Sequence, residues 1–268
     1  MTVRPGDGGR TYASSFGAAA GTYAEHRPDY APAAVRWALE NAPGARVLDL
    51  GAGTGKLTGT LVRLDADVVA VEPDPAMLEL LQHALPEVRA LPGSAEALPL
   101  SDGSVDAVLA GNALHWFDMD VAGPEIARVL APEGILAGLW NVVDDRVDWV
   151  SALERVGGPA AIGPRDTRSS WRTATAGLHL ADTGMTWFGS PEQAEFPHGQ
   201  RRTAESLVAT IGTRAGLLVM PEQQRRVTLG RIRAFLSSTQ ETRSGEFTLP
   251  MLTGVLRVRR LHEPSSSA

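Results

Sequence analysis

Short apolar runs recur along the first half of the chain. They alternate with stretches whose apolar positions repeat every three to four residues. The runs are Val47-Leu48-Asp49-Leu50, Val68 to Val71, Val88 to Leu91, Val105 to Ala110 and Ile135 to Trp140. Each is short and rich in Val, Leu and Ala, as strands buried on both faces are. Between them the pattern predicts helices over Pro32 to about Asn41, Thr54 to about Leu64, Ala76 to about Leu85 and Glu125 to Leu130. Met77, Leu80, Leu81 and Ala84 share one face of the third. Pro32 and Pro75 stand where a helix tolerates proline, in its first turn. Strand and helix in strict alternation predict a parallel sheet with helices on both faces.

The rhythm breaks after Trp140. Residues 141–189 are rich in Trp, Gly, Asp and Arg and read as a helical insertion or lid. The pattern then resumes with a strand over Gln193 to Pro197 and a helix over Thr203 to Thr213 with Thr203 as N-cap. A helix over Pro221 to Ser237 and a last strand over Phe247 to Arg260 follow. The expected organisation is a flexible start (1–15), a cofactor-binding core with an N-terminal helical lid (16–140) and an inserted lid (141–190). The remainder of the same core (191–262) and a short tail (263–268) complete it.

Chemistry concentrates at Leu50-Gly51-Ala52-Gly53-Thr54-Gly55-Lys56-Leu57, between the first strand and its helix. The glycines could simply make a tight turn. Among ligand sites, a dinucleotide fingerprint needs G-x-G-x-x-G, and Lys56 occupies the place of the third glycine. A P-loop needs a glycine at position 50 and a hydroxyl at 57, where both residues are leucine. A third form, an apolar strand followed by Asp, x, Gly, x, Gly, suits S-adenosylmethionine. There the backbone approaches an amino acid and a ribose, and an acid ending the next strand accepts from the ribose hydroxyls. Asp49 and Glu72 occupy those two places.

Composition narrows the alternatives. The chain has 268 residues, 43% of them hydrophobic, enough for a large α/β core. There is no cysteine, so thiolate chemistry and disulfides are excluded. No apolar run approaches the roughly 18 residues that span a bilayer, and Met1 to Arg10 does not resemble a signal peptide, so a cytoplasmic protein without membrane partners is expected. The net charge of −6 argues against nucleic acid as partner. From Arg201 onward 11 Arg face 5 Glu, a local excess of +6 that solvated helix faces or an acidic partner would explain. No His/Asp/Glu spacing suggests a metal; His26, His83, His179, His198 and His262 are scattered.

Several motifs, in order, resemble the class I S-adenosylmethionine-dependent methyltransferases. They are Val47 to Gly55 and Val68 to Glu72 with Pro73 and Met77. Next come Gly93-Ser94-Ala95-Glu96-Ala97-Leu98-Pro99-Leu100 and Asp106 to Asn112 with Ala113-Leu114-His115-Trp116-Phe117. The last is Arg128-Val129-Leu130-Ala131-Pro132-Glu133-Gly134. Within that class the chain is most similar to the small-molecule group that includes trans-aconitate methyltransferase. The resemblance implies an α/β, Rossmann-like, seven-stranded and mostly parallel sheet with an antiparallel last strand. It implies S-adenosyl-L-methionine as cofactor, S-adenosyl-L-homocysteine as product, and a monomer or homodimer. Gly51, Ala52 and Gly53 would pass beneath the methionine part and ribose, and Asp49 would orient the amino group. Glu72 would accept from the ribose hydroxyls, and Pro73 and Met77 would pack on adenine. Ser94, Ala95 and Glu96 would line the adenine edge. Asn112 would offer its carbonyl to the ammonium, with Ala113 and Trp116 beside it. Two positions depart from the pattern: Ser94, where many relatives carry Asp, and Glu133, where many carry Gly. A local backbone change is expected at the second.

Methyl transfer needs a nucleophile held in line with the sulfonium, and a base only where a proton must leave. His115, just past the fourth strand, is the candidate base; the alternative is a hydrogen-bonded cap over the cofactor. Tyr23 is a second catalytic candidate. Tyr23 and Arg27, one helical turn apart, together with His115 and Trp140, are the expected acceptor-binding residues. Trp140, Trp149, Trp171 and Trp187 could wall a flat acceptor such as an indole or phenol, and are equally the residues a lid packs with. The resulting expectation is methyl transfer to O, N or nucleophilic C of a small molecule of secondary metabolism. The rival expectations are a non-methylating cyclase or decarboxylase and a non-catalytic cofactor-binding protein.

Overall fold

The structure is a computed structural model, and it describes residues 28–163, 165–176 and 187–261. Seven strands form one sheet: β1 (Arg46–Leu50), β2 (Asp67–Glu72), β3 (Arg89–Pro92), β4 (Val105–Gly111), β5 (Leu130–Val143), β6 (Glu192–Arg202) and β7 (Phe247–Arg259). Their spatial order is β3-β2-β1-β4-β5-β7-β6. The pairs β1–β2, β1–β4, β2–β3 and β4–β5 are parallel, and the last strand is antiparallel. The Rossmann-like α/β expectation holds. The order reverses between β1 and β4, the switch point where such sheets open a crevice at their carboxyl edge.

Among the described residues the helices are α1 (Pro32–Leu39), α2 (Lys56–Val62), α3 (Pro75–Ala84), α4 (Met119–Val129), α5 (Asp148–Gly157), α6 (Trp171–Ala176), α7 (Ala204–Gly212), α8 (Ala215–Leu218) and α9 (Glu222–Ser238). The buried faces of α1 and α2 pack on Val47, Ala107, Leu109, Ala137 and Leu139. Leu81 of α3 packs with Ala70 of β2. The alternate residues Leu48, Leu50, Val108, Ala110 and Leu136 are equally buried, so the central strands are apolar on both faces. That is why they read as continuous apolar runs.

Three boundaries differ from the sequence pattern. Helix α4 begins at Met119 instead of Glu125, because the Asp118 side chain caps it at Asp120 N–H and Pro124 is carried inside the helix. Strand β5 begins at Leu130, so Pro132-Glu133-Gly134 lies within it, beside an irregularity in the register with β4. Glu133 there takes φ +64°, the left-handed region a glycine would occupy, and its carboxylate accepts from Arg259 Nη1 at 2.9 Å. Strand β6 runs to Arg202, well past Pro197.

The chain divides into two compact units. Among the described residues, one holds 29–140, 175–176, 187–196 and 253–261. The other holds residue 28, 141–174 and 197–252, and has its own core. There Trp149, Leu153, Ile211, Ile232, Leu236 and Phe247 meet. Thr203 caps α7 by the expected side-chain bond, reciprocated by Ser206. Residues 197–252 thus share a core with 141–174, whereas the sequence pattern assigned them to the sheet domain. Their apolar periodicity marks helices but carries no information about which core they join.

Candidate functional site at the carboxyl edge of the sheet

The chain leaving β1 is tied to the end of β2: Gly51 and Ala52 N–H both donate to Val71 O, at 2.9 and 3.1 Å. Gly51, Gly53 and Gly55 then take φ values of +68°, +57° and +85°. Gly51 is required on a second ground. A Cβ there would lie 2.8 Å from the Ala113 Cβ, in the turn that follows β4. Around Gly53 the nearest such atom is Met77 Sδ at 3.8 Å, so its backbone is open to close approach.

Two carboxylates face this turn. Glu72 ends β2 and is 5% exposed. Its Oε2 accepts from Gly53 N–H at 2.8 Å and its Oε1 from Asp74 N–H at 2.9 Å. Asp49, in β1, is fully buried, and its Oδ2 accepts from the Thr58 hydroxyl at 2.6 Å. Its Oδ1 has no hydrogen-bond partner, nor has the buried Thr54 hydroxyl. Among the described residues no cation pairs with Asp49. The Asp49 carboxyl is accordingly pushed up to about 7, mainly by desolvation, with the Glu72 charge adding and the Thr58 bond opposing. Burial also raises Glu72, against the backbone bonds from Asp74 and Gly53. A buried carboxylate oxygen with no donor calls for a cationic or hydrogen-bonding ligand.

The other walls come from neighbouring strand ends. Asp74 caps α3 by accepting from Ala76 and Met77 N–H, which fixes Pro73 and the buried Met77 beside Glu72. After β3, Gly93 N–H donates to Glu72 O, and a Cβ on Gly93 would meet Pro99 and Val71. Ser94 bridges to Ala97, Ala95 is buried, and Glu96 Oε1 accepts from Asp118 N–H at 3.2 Å. After β4, Asn112 takes φ +51° and donates to Leu139 O at 2.7 Å. A single 3-10 turn, Leu114–Trp116, follows. In it the His115 Nδ1 accepts from the Trp140 indole N–H at 3.3 Å, and the His115 and Trp116 rings lie 4.8 Å apart.

The sequence motifs Asp49, Gly51, Ala52, Gly53, Glu72, Pro73, Met77, Ser94, Ala95, Glu96, Asn112, Ala113, His115 and Trp116 all lie at carboxyl ends of β1 to β4 or in the segments that follow them. Tyr23 and Arg27 lie outside the described residues. Trp140, expected against the acceptor, is 1% exposed and stands behind His115. Trp149 and Trp171 are buried too, which leaves Trp116, at 37% exposure, as the accessible indole of this edge. Sequence reasoning missed Thr58, Thr54 and Asp74. Thr58 follows Asp49 by nine residues across a turn, a separation that only the fold converts into contact. Among the described residues no group of three or more His, Asp or Glu could hold a metal. No helix among them is long and apolar enough to cross a membrane.

Comparison with known proteins agrees with this geometry. A family model described as a methyltransferase domain matches residues 48–138. An uncharacterized methyltransferase of Mycobacterium bovis is 40% identical over 249 residues, covering 92% of this chain and 96% of the relative. A malonyl-[acyl-carrier protein] O-methyltransferase of Methylococcus capsulatus is 43% identical over 101 residues, 35% of this chain and 37% of the relative. A solved structure of a candidate type II methyltransferase from Anaeromyxobacter dehalogenans superimposes with a TM-score of 0.63. It is 26% identical and covers 88% of this chain and 99% of that one.

Proposed function

The chain belongs to the class I S-adenosylmethionine-dependent methyltransferases, and on that premise we propose how its own residues hold the cofactor and what they act on. When bound, S-adenosylmethionine supplies a methyl group on a sulfonium. Asp49 Oδ1 accepts from the cofactor's amino group, directly or through water, and thereby gains the donor it lacks. Glu72 has two acceptor positions left after Gly53 and Asp74, and these take the ribose hydroxyls. Pro73 and Met77 pack on one side of adenine, and Ser94, Ala95 and Glu96 line its edge. Asn112, Ala113 and Trp116 close the methionine end.

The observation that carries this reading is the buried, donor-poor Asp49 beside a backbone stretch that only glycine can form. A desolvated acid is destabilising, and a run of left-handed residues restricts the turn to glycine. Their placement at a switch point fits a ligand site better than a structural turn.

The acceptor is a small molecule methylated at O, N or nucleophilic C. An aromatic acceptor such as an indole or phenol rested on Trp140, Trp149, Trp171 and Trp187; the first three are buried and Trp187, half-buried, pairs with Leu261 past the end of β7, so the support at this edge comes from Trp116. Kinship with the trans-aconitate group rests on the sequence resemblance alone. The test is calorimetric titration with S-adenosylmethionine, S-adenosylhomocysteine and NAD. Micromolar binding of the first two and none of the third supports the placement; binding of NAD, or of none, overturns it.

A further inference from the structure

Helix α2 carries two buried threonines that use their hydroxyls differently. Thr60 donates to Lys56 O, one turn back, at 3.2 Å, the usual outlet for a threonine inside a helix. Thr58 reaches out of the helix instead and donates to Asp49 Oδ2 at 2.6 Å. Both members of that bond are 0% exposed. A buried hydroxyl and a buried acid are each costly without a partner, and here each meets the other.

The bond leaves Asp49 and Glu72 unlike as acceptors. Glu72 has one backbone N–H on each oxygen, so both oxygens keep a lone pair for a ligand, which suits two adjacent hydroxyls. Asp49 has Oδ2 taken by Thr58 and Oδ1 without a partner. It offers one oxygen, which suits a single charged N–H donor. Its surroundings also leave its ionisation to Thr58. The register neighbours of Asp49, Ala70 of β2 and Leu109 of β4, are apolar. Among the described residues the charged group facing it is Glu72, which opposes ionisation as burial does. Against both stand the hydroxyl and the backbone N–H of Thr58.

We propose that Thr58 is a positioning residue for cofactor binding: its hydroxyl holds Asp49 in the ionised form, with Oδ1 as the one oxygen presented to the cofactor's amino group. This rests on the methyltransferase reading of the same site. Thr58 acts through Asp49, and no bond of the cofactor is made or broken by it. A hydroxyl that donates to a carboxyl group favours the charged form over the neutral one. Without that donor Asp49 ionises only at higher pH, and affinity for a ligand bearing an ammonium group follows it upward. A ligand without the amino group is indifferent to the change.

The test is calorimetric titration of S-adenosylhomocysteine into the wild-type protein, Thr58→Val and Thr58→Ser between about pH 6 and about pH 8.5. Valine keeps the shape of threonine and lacks the donor; serine keeps the donor. Wild-type affinity should rise with pH through a midpoint of about 7, where Asp49 titrates. Thr58→Val should move that midpoint up by about one pH unit, the scale of a hydrogen bond to a charged group. Thr58→Ser should leave it in place. The deamino analogue of S-adenosylhomocysteine should bind all three proteins with no such rise. Carbon-13 carboxyl spectra of the ligand-free proteins, with Asp49→Asn assigning the resonance, should show the same displacement, and Thr58→Ala repeats the test should valine not be accommodated. An unmoved midpoint in Thr58→Val and Thr58→Ala, or an equal displacement in Thr58→Ser, overturns the role of Thr58 and leaves the cofactor on Asp49. A displaced Asp49 resonance with affinities that ignore pH in every protein overturns instead the placement of the amino group, and the proposal with it.

Discussion

The two edges of the sheet treat carboxylates in opposite ways. At the amino edge, acids are paired. Asp106 at the start of β4 takes a forked bond from Arg46, and Gly44 is needed because a Cβ there would run into the carboxylate. Glu125 of α4 accepts from Arg128 through two nitrogens and from Leu98 N–H. Arg128 binds Leu98 O, Leu100 O and Asp102 as well, clamping the segment that enters β4. These bonds hold Asp106 below the usual carboxylate range and bring Glu125 down to about 2. At the carboxyl edge, the buried Asp49 and Glu72 receive, among the described residues, a hydroxyl and backbone N–H groups but no guanidinium, and they shift upward. One edge spends its charges on holding the fold. The other keeps desolvated acids that destabilise the free protein and await a ligand.

Opposite shifts give opposite dependences on pH. Glu125 titrates lower in the folded chain than in the unfolded one, from about 4.5 to about 2. Its contribution is present above pH ~4.5 and fades as pH falls toward ~2. Asp49 titrates higher when folded, near 7 against 3.8 unfolded, so the folded state binds the extra proton between those values and stability declines as pH rises through that window. These two groups together favour the free protein in mildly acidic solution, and bound cofactor should offset the loss that Asp49 brings at higher pH.

The largest expected effect comes from Asp49→Asn. It should weaken S-adenosylhomocysteine binding by roughly a hundredfold and raise the stability of the free protein at about pH 8 by on the order of 2–4 kcal/mol. Parallel calorimetry and urea unfolding read both. A variant destabilised at pH 8 would end the contrast between the edges. Glu72→Ala should lower cofactor affinity by about 1.5–3 kcal/mol; unchanged affinity would remove the ribose from that position.

Glu125→Ala acts at the other edge. It should lower unfolding free energy by roughly 1–2 kcal/mol, because one buried N–H loses its acceptor and Arg128 loses a partner that is itself partly exposed. Cofactor affinity should stay at the wild-type value, and a change in it would show that the edges are coupled. The smallest effect is at Glu133, which occupies left-handed backbone against a surface ion pair. Glu133→Gly should stabilise by up to about 1 kcal/mol, and a loss of stability on urea unfolding would show that the Arg259 pair matters more than the strain.

The same contrast explains what the sequence could convey. The carboxyl edge was legible because strand ends, glycines and acids there follow one another closely along the chain: Asp49, Gly51, Gly53 and Glu72 lie within a single βαβ unit. The amino edge was not, since Arg46 and Asp106 are 60 residues apart and the motif that opens at Asp106 says nothing of its partner. Thr58 and the Trp140–His115 bond were missed for a like reason. Periodicity places the threonine on a helix and the indole on a strand, but only the docking of α2 on β1, and of β5 beside β4, tells what each touches. The helical unit shows the limit from the other side. Its helices over Thr203 to Thr213 and Pro221 to Ser237 were readable, yet their common core with Trp149 and Leu153 depends on pairings that no local pattern encodes.

The most direct test of the carboxyl-edge account is titration of S-adenosylhomocysteine into the wild-type protein and Asp49→Asn at about pH 6 and pH 8. If an ionised Asp49 receives the ligand's amino group, wild-type affinity rises roughly tenfold between the two, as a carboxyl titrating near 7 requires. The Asn variant binds weakly and equally at both. Equal wild-type affinity at the two pH values, or the same rise in the Asn variant, would contradict the assignment of Asp49 to the cofactor.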